Sequence, residues 1–187
     1  MNWADEAISA LRGSWRLFLR DTGGFEDFNL SVGGFWRSFA VIIAVAPFYL
    51  YAVIVQDGIQ LPDQPPSEPV SINLAAIGLV AQWFAWPLVM AIIARFAGLA
   101  RNYARYIVVY NWSAILVMAI QMVPVMLLAQ GEALLGLATL VFFAFYAVVL
   151  YYRWYIAQVA LEATPAMAWA LVIGDLVLSI GVTKLIG

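Results

Sequence analysis

The sequence predicts an all-α, polytopic membrane protein with five transmembrane helices and, before them, an amphipathic helix at the membrane surface. Of its 187 residues, 65% are hydrophobic and 11% are charged, whereas a soluble domain carries about 45–50% apolar and roughly 25% charged residues. Five long stretches contain at most one charge each, and the eight tryptophans suit a protein with two lipid–water interfaces. Together these features favour helices that cross a bilayer.

Composition also excludes several kinds of chemistry. The chain has no Cys and no His, which removes thiol nucleophiles, disulfides, thiolate metal sites and the commonest general base. The sequence has no glycine-rich phosphate loop, and no paired acids lie at a short helical spacing inside a span. We therefore expect no catalytic residues, no cofactor and no metal. The net charge of −2 gives no reason to expect nucleic-acid binding.

The N-terminal unit, residues 1–34, begins with a predicted amphipathic helix over residues 2–20. At about 100° per residue, its large apolar side chains share one arc and its polar side chains the other. Arg12, Arg16 and Arg20 form a basic stripe on the polar arc. This pattern is typical of a helix in the lipid interface with its arginines on anionic headgroups. The alternative is a helix packed on the ends of the spans.

A membrane-surface linker completes this unit. Residues 21–24 (DTGG) predict a turn and the glycine pair 33–34 predicts a flexible point. Glu26 and Asp27 are expected to be solvated. No short apolar core follows a basic start, which argues against a cleavable signal peptide. We therefore expect a span to direct insertion.

The five predicted spans make up residues 35–187, and each is long enough to cross a hydrocarbon core of about 30 Å. A proline in each of the first three is expected to kink it. The proline-rich stretch 57–69 should form an extended loop, and Thr164 should cap the last span. The spans cover about residues 36–56, 70–95, 106–130, 133–155 and 165–185, and the prolines are Pro47, Pro87 and Pro124.

Positive charges are distributed unevenly about these spans. With five spans, eight of the nine Lys and Arg residues fall on the face that carries the N-terminus, and only Lys184 falls on the other. The positive-inside rule then predicts a cytoplasmic N-terminus and a C-terminus outside. Arg95, Arg101 and Arg105 lie in the turn between the second and third spans. They could bind anionic lipid or a partner, or act only as topology determinants.

Asp175 is the one acid inside a predicted span. It lies about ten residues into the fifth span, roughly 15 Å deep at 1.5 Å per residue, where an ionised carboxylate costs at least about 2.5 kcal/mol. It should therefore face the bundle interior, be protonated or have a partner. Gln82, near the middle of the second span, is the preferred partner. Asp175 could be a proton or cation site, or could only fix helix register.

The other intramembrane polar residues are amides and one arginine. Gln82, Asn111 and Gln121 more often join helices than bind ligands. Arg153 belongs to an aromatic–basic cluster at residues 151–155. That cluster predicts an interface anchor whose rings lie at headgroup level and whose guanidinium reaches water.

The region around the second and third spans contains a series of short motifs, at residues 92–98 (IIARFAG), 103–106 (YARY), 110–113 (YNWS) and Pro124. Through these motifs and its five-span architecture, the chain resembles the Yip (Ypt-interacting protein) family and its bacterial five-span relatives. In those relatives a span ends in Arg, a Gly-containing turn follows, and the next span opens with a Tyr-x-Ser-like pattern and has a later Pro. The resemblance implies an all-helical fold in a bacterial plasma (inner) membrane, and it implies no reaction.

Three functions remain open from the sequence. The first is a non-catalytic membrane protein that organises membrane lipids or docks a partner, another membrane protein or a second copy of itself, through its arginines. The second is a small transporter or channel subunit that uses Asp175. A lipid-metabolising enzyme ranks last, because the chain lacks a nucleophile and a base.

Overall fold

A computed structural model describes residues 2–59 and 69–186 of the chain. Within these ranges the chain forms helices and no strand, so the all-α class is confirmed. Most of the predicted extended loop at 57–69 lies outside the described residues. Five of the helices are long and apolar enough to cross a membrane, which confirms the predicted number of spans.

The N-terminal unit contains one long helix and a short turn of 3₁₀ helix. Helix α1 is Trp3–Phe18, and the side chain of Asn2 caps it by accepting from the backbone N–H of Asp5 at 2.8 Å. The 3₁₀ helix, Thr22–Asp27, begins after Asp21, whose carboxylate accepts from the N–H of Gly23. The predicted turn therefore forms, and it folds the following residues back onto α1.

The first span begins earlier than its sequence suggests. Helix α2 (Val32–Ser38), a single 3₁₀ turn and helix α3 (Ile42–Asp57) make one continuous span, Val32–Asp57. The glycine pair 33–34 therefore lies inside a helix, and the predicted flexible point is wrong. Ser31 caps α2 through the N–H of Gly34 at 3.1 Å. The predicted boundary between residues 34 and 35 falls within this helix.

The other four spans are single helices. They are α4 (Ile72–Phe96), α5 (Tyr103–Leu128), α6 (Leu135–Leu161) and α7 (Pro165–Ile186). Helix α6 runs on to Leu161 rather than ending at 155, because residues 156, 157, 160 and 161 are buried. Thr164 caps α7 as predicted, accepting from the N–H of Met167 at 3.3 Å. The helices continue through each of the three predicted kink prolines.

The five spans close into a ring. Each helix packs on two neighbours in the order α3, α4, α7, α6, α5 and back to α3, while α4 and α5 touch only lightly across it. Few side chains in these spans are buried within the protein. The outer surface of the ring is apolar, as expected for helices in lipid.

Helix α1 packs against the ring at the face where α5 begins and α6 ends, here called the N-terminal face. Its inward strip is buried on α5 and α6, and the hydroxyl of Tyr152 donates to the carbonyl of Ser14 at 2.7 Å. A second, apolar strip stays exposed: Trp3, Ile8, Leu11, Trp15 and Leu19. The helix therefore packs on the spans and also presents an apolar surface of the kind that enters a lipid interface.

Candidate functional site

A cavity of about 420 Å³ lies at the centre of the ring. Side chains from all five spans line it, and most of its wall is apolar. The polar groups converge from different helices. They are Tyr49 on α3, Gln82 on α4, Tyr110 and Gln121 on α5, Tyr146 and Arg153 on α6, and Asp175 and Ser179 on α7.

Asp175 is held by a tyrosine. The hydroxyl of Tyr110 donates to Oδ2 of Asp175 at 2.7 Å. The expected pairing of Asp175 with Gln82 is wrong. Gln82 accepts from Ser179 at 3.2 Å and donates to Thr183 at 3.0 Å. These residues lie one and two helical turns, respectively, beyond Asp175 on α7. Counting residues from the helix ends placed Gln82 about one turn too close to Asp175.

Arg153 points inward and lines the same cavity. Its Nη1 donates to the carbonyl of Tyr110 at 3.0 Å and to the hydroxyl of Ser113 at 3.2 Å. The guanidinium lies 3.8 Å from the centroid of the Tyr110 ring, a cation–π contact. The predicted role of Arg153 as an anchor that reaches water is therefore wrong. The sequence placed the end of this span at 155, so that Arg153 looked terminal.

A basic and an acidic side chain thus face one cavity without forming an ion pair. Within the described residues no ion pair joins Arg153 to Asp175, and Tyr110 lies between them and contacts both. Both charged side chains are only partly buried. In an apolar environment an unpaired charge is costly and needs a counter-charge or strong hydrogen bonds.

The remaining predicted polar residues divide between the cavity and the packed interior. Asn111 is 1% exposed and donates to the hydroxyl of Ser38 at 2.9 Å, so it joins the first and third spans. Gln121 lines the cavity, and its Oε1 is buried with no hydrogen-bond partner among the described residues. The indole N–H of Trp83, another lining residue, is also buried and has no hydrogen-bond partner among the described residues. Buried polar atoms of this kind call for a water or a ligand.

A second cavity of about 740 Å³ continues the first. The two share Tyr49, Gln82 and Gln121. The second reaches Gln56 near the end of α3 and Ser71 at the start of α4, which lie at the face opposite α1. The polar groups therefore follow a path from that face to the centre of the membrane.

Aromatic side chains close the path towards the N-terminal face. The indole of Trp86 donates to the hydroxyl of Tyr106 at 3.0 Å, and both residues are almost fully buried. The hydroxyl of Tyr103 donates to the carbonyl of Pro87 at 2.9 Å. Tyr106 lies one helical turn nearer this face than Tyr110. The cavity is thus open towards one face and sealed towards the other.

The predicted basic stripe of α1 forms contacts within the N-terminal unit and with α6. Arg12 and Arg16 pair with Asp27 at 2.8 and 2.9 Å, and Arg16 also pairs with Asp21 at 2.7 Å. The side chain of Asp27 is only 9% exposed, so its expected solvation is wrong. The hydrogen bond from Arg16 lowers the pKa of Asp21. Arg20 lies over the rings of Tyr151 and Tyr155. Arg12 and Arg20 remain exposed, so binding of these arginines to lipid headgroups stays a prediction.

The arginines of the turn between α4 and α5 have different roles. Arg105 pairs with Glu162 at 2.9 Å and donates to the carbonyl of Ala160 at 2.6 Å, so it joins the start of α5 to the end of α6. The hydrogen bond from Arg105 to the Glu162 carboxylate lowers the pKa of Glu162. Arg95 and Arg101 are exposed, and among the described residues neither forms an ion pair. They flank Phe96, which is 85% exposed.

The five apolar helices are those of an integral membrane protein. Within the described ranges no three acidic side chains converge to form a metal site. Comparison of the chain with protein-family models, with curated proteins and with solved structures gave no match.

Proposed function

We propose that this protein binds a small polar solute in its central cavity and carries it across the membrane. The observation that carries the proposal is the placement of Arg153 and Asp175 on one cavity that all five spans line. An acid that only fixes helix register would be packed dry against one partner. Asp175 instead faces a space that holds several converging polar groups.

The size and position of the cavity support this function. Small-molecule sites in proteins are mostly apolar, contain a few placed polar groups and measure about 300–1,000 Å³. Charged side chains inside a membrane bundle mark substrate or ion pathways more often than structural contacts. The continuation of the cavity to the face opposite α1 supplies a route of entry. The proposal assigns no reaction to the chain.

Uptake into proteoliposomes tests this function. Purified full-length protein is reconstituted with the membrane potential held near zero. Radiolabelled sorbitol, choline, gluconate, glycine betaine and leucine are offered in turn. We expect at least one solute to enter faster than into empty liposomes, and Asp175→Asn to lower that rate at least tenfold. Glu26→Gln, at an exposed position that lines neither cavity, should leave the rate unchanged. Equal rates in all vesicles for every solute would refute transport.

A second candidate function is the docking of anionic lipid or of another membrane protein at the N-terminal face. The exposed group Arg95, Phe96 and Arg101 favours it, and so does the resemblance to the Yip family. The uneven distribution of positive charges supports a cytoplasmic position for this face, in the inner membrane of a bacterium. Arg95→Gln with Arg101→Gln should reduce co-purified anionic lipid or captured partner. An unchanged yield of both would remove this candidate.

A further inference from the structure

We propose that the solute is a small zwitterion of amino-acid size, whose carboxylate contacts Arg153 and whose cationic group contacts Asp175. This inference rests on the proposed function, because it names the class of solute that the same cavity takes. It commits to a molecule that carries both charges, rather than to a cation, an anion or a neutral polyol.

Arg153 keeps donors for a carboxylate. A guanidinium has five N–H groups in a planar fork. In Arg153, Nη1 is the nitrogen that donates to the protein, to Tyr110 and Ser113. In the part of the chain that the structure describes, Nε and Nη2 donate to no protein acceptor. Those two nitrogens form the edge of the guanidinium that binds a carboxylate through two parallel hydrogen bonds.

Asp175 keeps an acceptor for a cationic group. Its Oδ2 accepts from Tyr110, while Oδ1 accepts no hydrogen bond from the described residues. Next to it along α7, Ser179 supplies a hydroxyl that also lines the cavity. An ammonium placed here would be held by charge as well as by hydrogen bonds.

Tyr110 sets the spacing between the two charges. Its ring lies against the guanidinium and its hydroxyl binds the carboxylate, so the phenol contacts both groups and they form no ion pair with each other. That arrangement leaves a gap that a molecule with charges a few bonds apart can bridge. A lone cation would pair with Asp175 and leave Arg153 unpaired, and a lone anion would do the reverse. An unpaired charge in an apolar environment is costly.

The rest of the wall accommodates an apolar side chain. Val149 and Leu150 on α6 and Val172 and Leu176 on α7 line the same cavity as the two charges. At about 420 Å³ the space can hold such a side chain and a few waters. The buried Oε1 of Gln121 and indole N–H of Trp83 offer those waters partners.

Matched ligands test the inference by binding to the full-length protein in nanodiscs, measured by calorimetry. Leucine carries both charges, 4-methylpentanoate lacks its amino group, and 3-methylbutylamine lacks its carboxylate. Glycine betaine is a second zwitterion, with choline as its cationic analogue. We expect a zwitterion to bind at least tenfold more tightly than either of its single-charge analogues.

Exchange of the charged residues should change the preference in opposite directions. Arg153→Gln should weaken the binding of leucine at least tenfold. It should strengthen the binding of 3-methylbutylamine, because the cation that repels this amine is removed. Asp175→Asn should weaken the binding of leucine to a similar extent and strengthen the binding of 4-methylpentanoate. A residue that only holds the bundle together would weaken all ligands alike. Glu26→Gln is the control, because Glu26 is exposed and lines neither cavity, and size-exclusion profiles verify that each variant is folded.

The outcomes separate this inference from the proposed function. Sorbitol, choline or gluconate could enter proteoliposomes while neither leucine nor glycine betaine binds. In that case the transport function stands and the inference that the solute is a zwitterion is overturned. Equal or tighter binding of a single-charge analogue overturns it as well. If no solute enters and no ligand binds, Arg153 and Asp175 are a structural pair and both proposals fail.

Discussion

The hydroxyl of Tyr110 on α5 donates a 2.7 Å hydrogen bond to Asp175 on α7. The residues are 65 positions apart in the chain, and α5 and α7 are not neighbours in the ring. This contact joins two walls of the cavity and fixes the orientation of Asp175, which lies well inside its span, whereas Asp57 lies at the end of the first span. The polar centre of the membrane domain is therefore organised by a tyrosine.

Tyr110→Phe tests this contact, because it removes the hydroxyl and retains the ring under Arg153. A hydrogen bond to a charged group contributes about 1.5–3 kcal/mol, and contacts inside membranes are weaker, averaging about 0.6 kcal/mol. We expect a loss of about 1 kcal/mol in the free energy of unfolding, measured in detergent, and slower solute uptake. Tyr51→Phe, at an exposed position, should change neither. A variant as stable and active as the parent would contradict the assigned role.

The sequence was sufficient for the span count, because apolar length and charge asymmetry are local properties. It was also sufficient for the turn at residues 21–24 and for the cap at Thr164, which depend on a few adjacent residues. The centre of the site was not predictable in the same way. Arg153 was predicted to be an interface anchor, since a basic residue near a span end usually is one, and Tyr110 had no predicted contact. Their inward direction depends on how α5, α6 and α7 rotate against one another.

The N-terminal arginines show the same limit. Their spacing by four places Arg12 and Arg16 on one side of α1, whereas Arg20 lies beyond the end of the helix at Phe18, with φ +66°. An amphipathic pattern also does not say what the polar face contacts. The partner acids Asp21 and Asp27 lie just beyond the helix, and only the fold of the 3₁₀ turn brings them back to Arg16. One signal was readable: the linker contains acids in a spacing that a reversal of the chain would place beside the arginines.

The two adjacent glycines of α2 should respond oppositely to substitution. A Cβ on Gly34 would lie against the backbone carbonyl of Asn29, which cannot move aside as a flexible side chain would, whereas a Cβ on Gly33 meets only the hydroxyl of Ser31 at 3.7 Å and Arg37 at 3.8 Å. Overpacking costs about 1–3 kcal/mol, so Gly34→Ala should lower the unfolding free energy by at least that much. Gly33→Ala should be neutral or stabilising by up to about 1 kcal/mol through helix propensity.

Thermal melts of the two variants in the same detergent give the comparison. The pair controls for helix propensity, because both positions lie in the first turn of α2. Equal stability of the two variants would mean that α2 does not pack against Asn29 as described.

The ion pair of Arg105 and Glu162 should make stability depend on pH. The hydrogen bond from Arg105, followed by that from Asn102, lowers the pKa of Glu162 below its ordinary value of 4.5 in the folded protein. A carboxylate with a lowered pKa contributes its stability above the unfolded pKa and loses it as the pH falls through the folded pKa. Glu162→Gln should therefore be less stable than the parent at pH 7, and this difference should shrink below about pH 4.5.

Melting temperatures measured at intervals between about pH 7 and pH 3 give this difference directly. Glu26→Gln serves as the control, since Glu26 forms no ion pair in the described part of the chain. A difference between the Glu162 variant and the parent that stays constant with pH would assign the effect to the left-handed backbone at this position, where φ is +58°, and not to its charge.

The two ends of the chain should lie on opposite sides of the membrane. Five spans are an odd number, and seven of the nine Lys and Arg residues lie in the N-terminal segment, near the start of the first span, or in and beside the turn between α4 and α5. A reporter that is active only in the cytoplasm should therefore work when it is fused before Met1 and fail when it is fused after Gly187. Fusions in the turn between α4 and α5, next to Arg101, should behave like the N-terminal one. If both ends report from the same side, one of the five helices does not cross the membrane, and the ring that encloses Arg153 and Asp175 cannot exist as a transmembrane pathway.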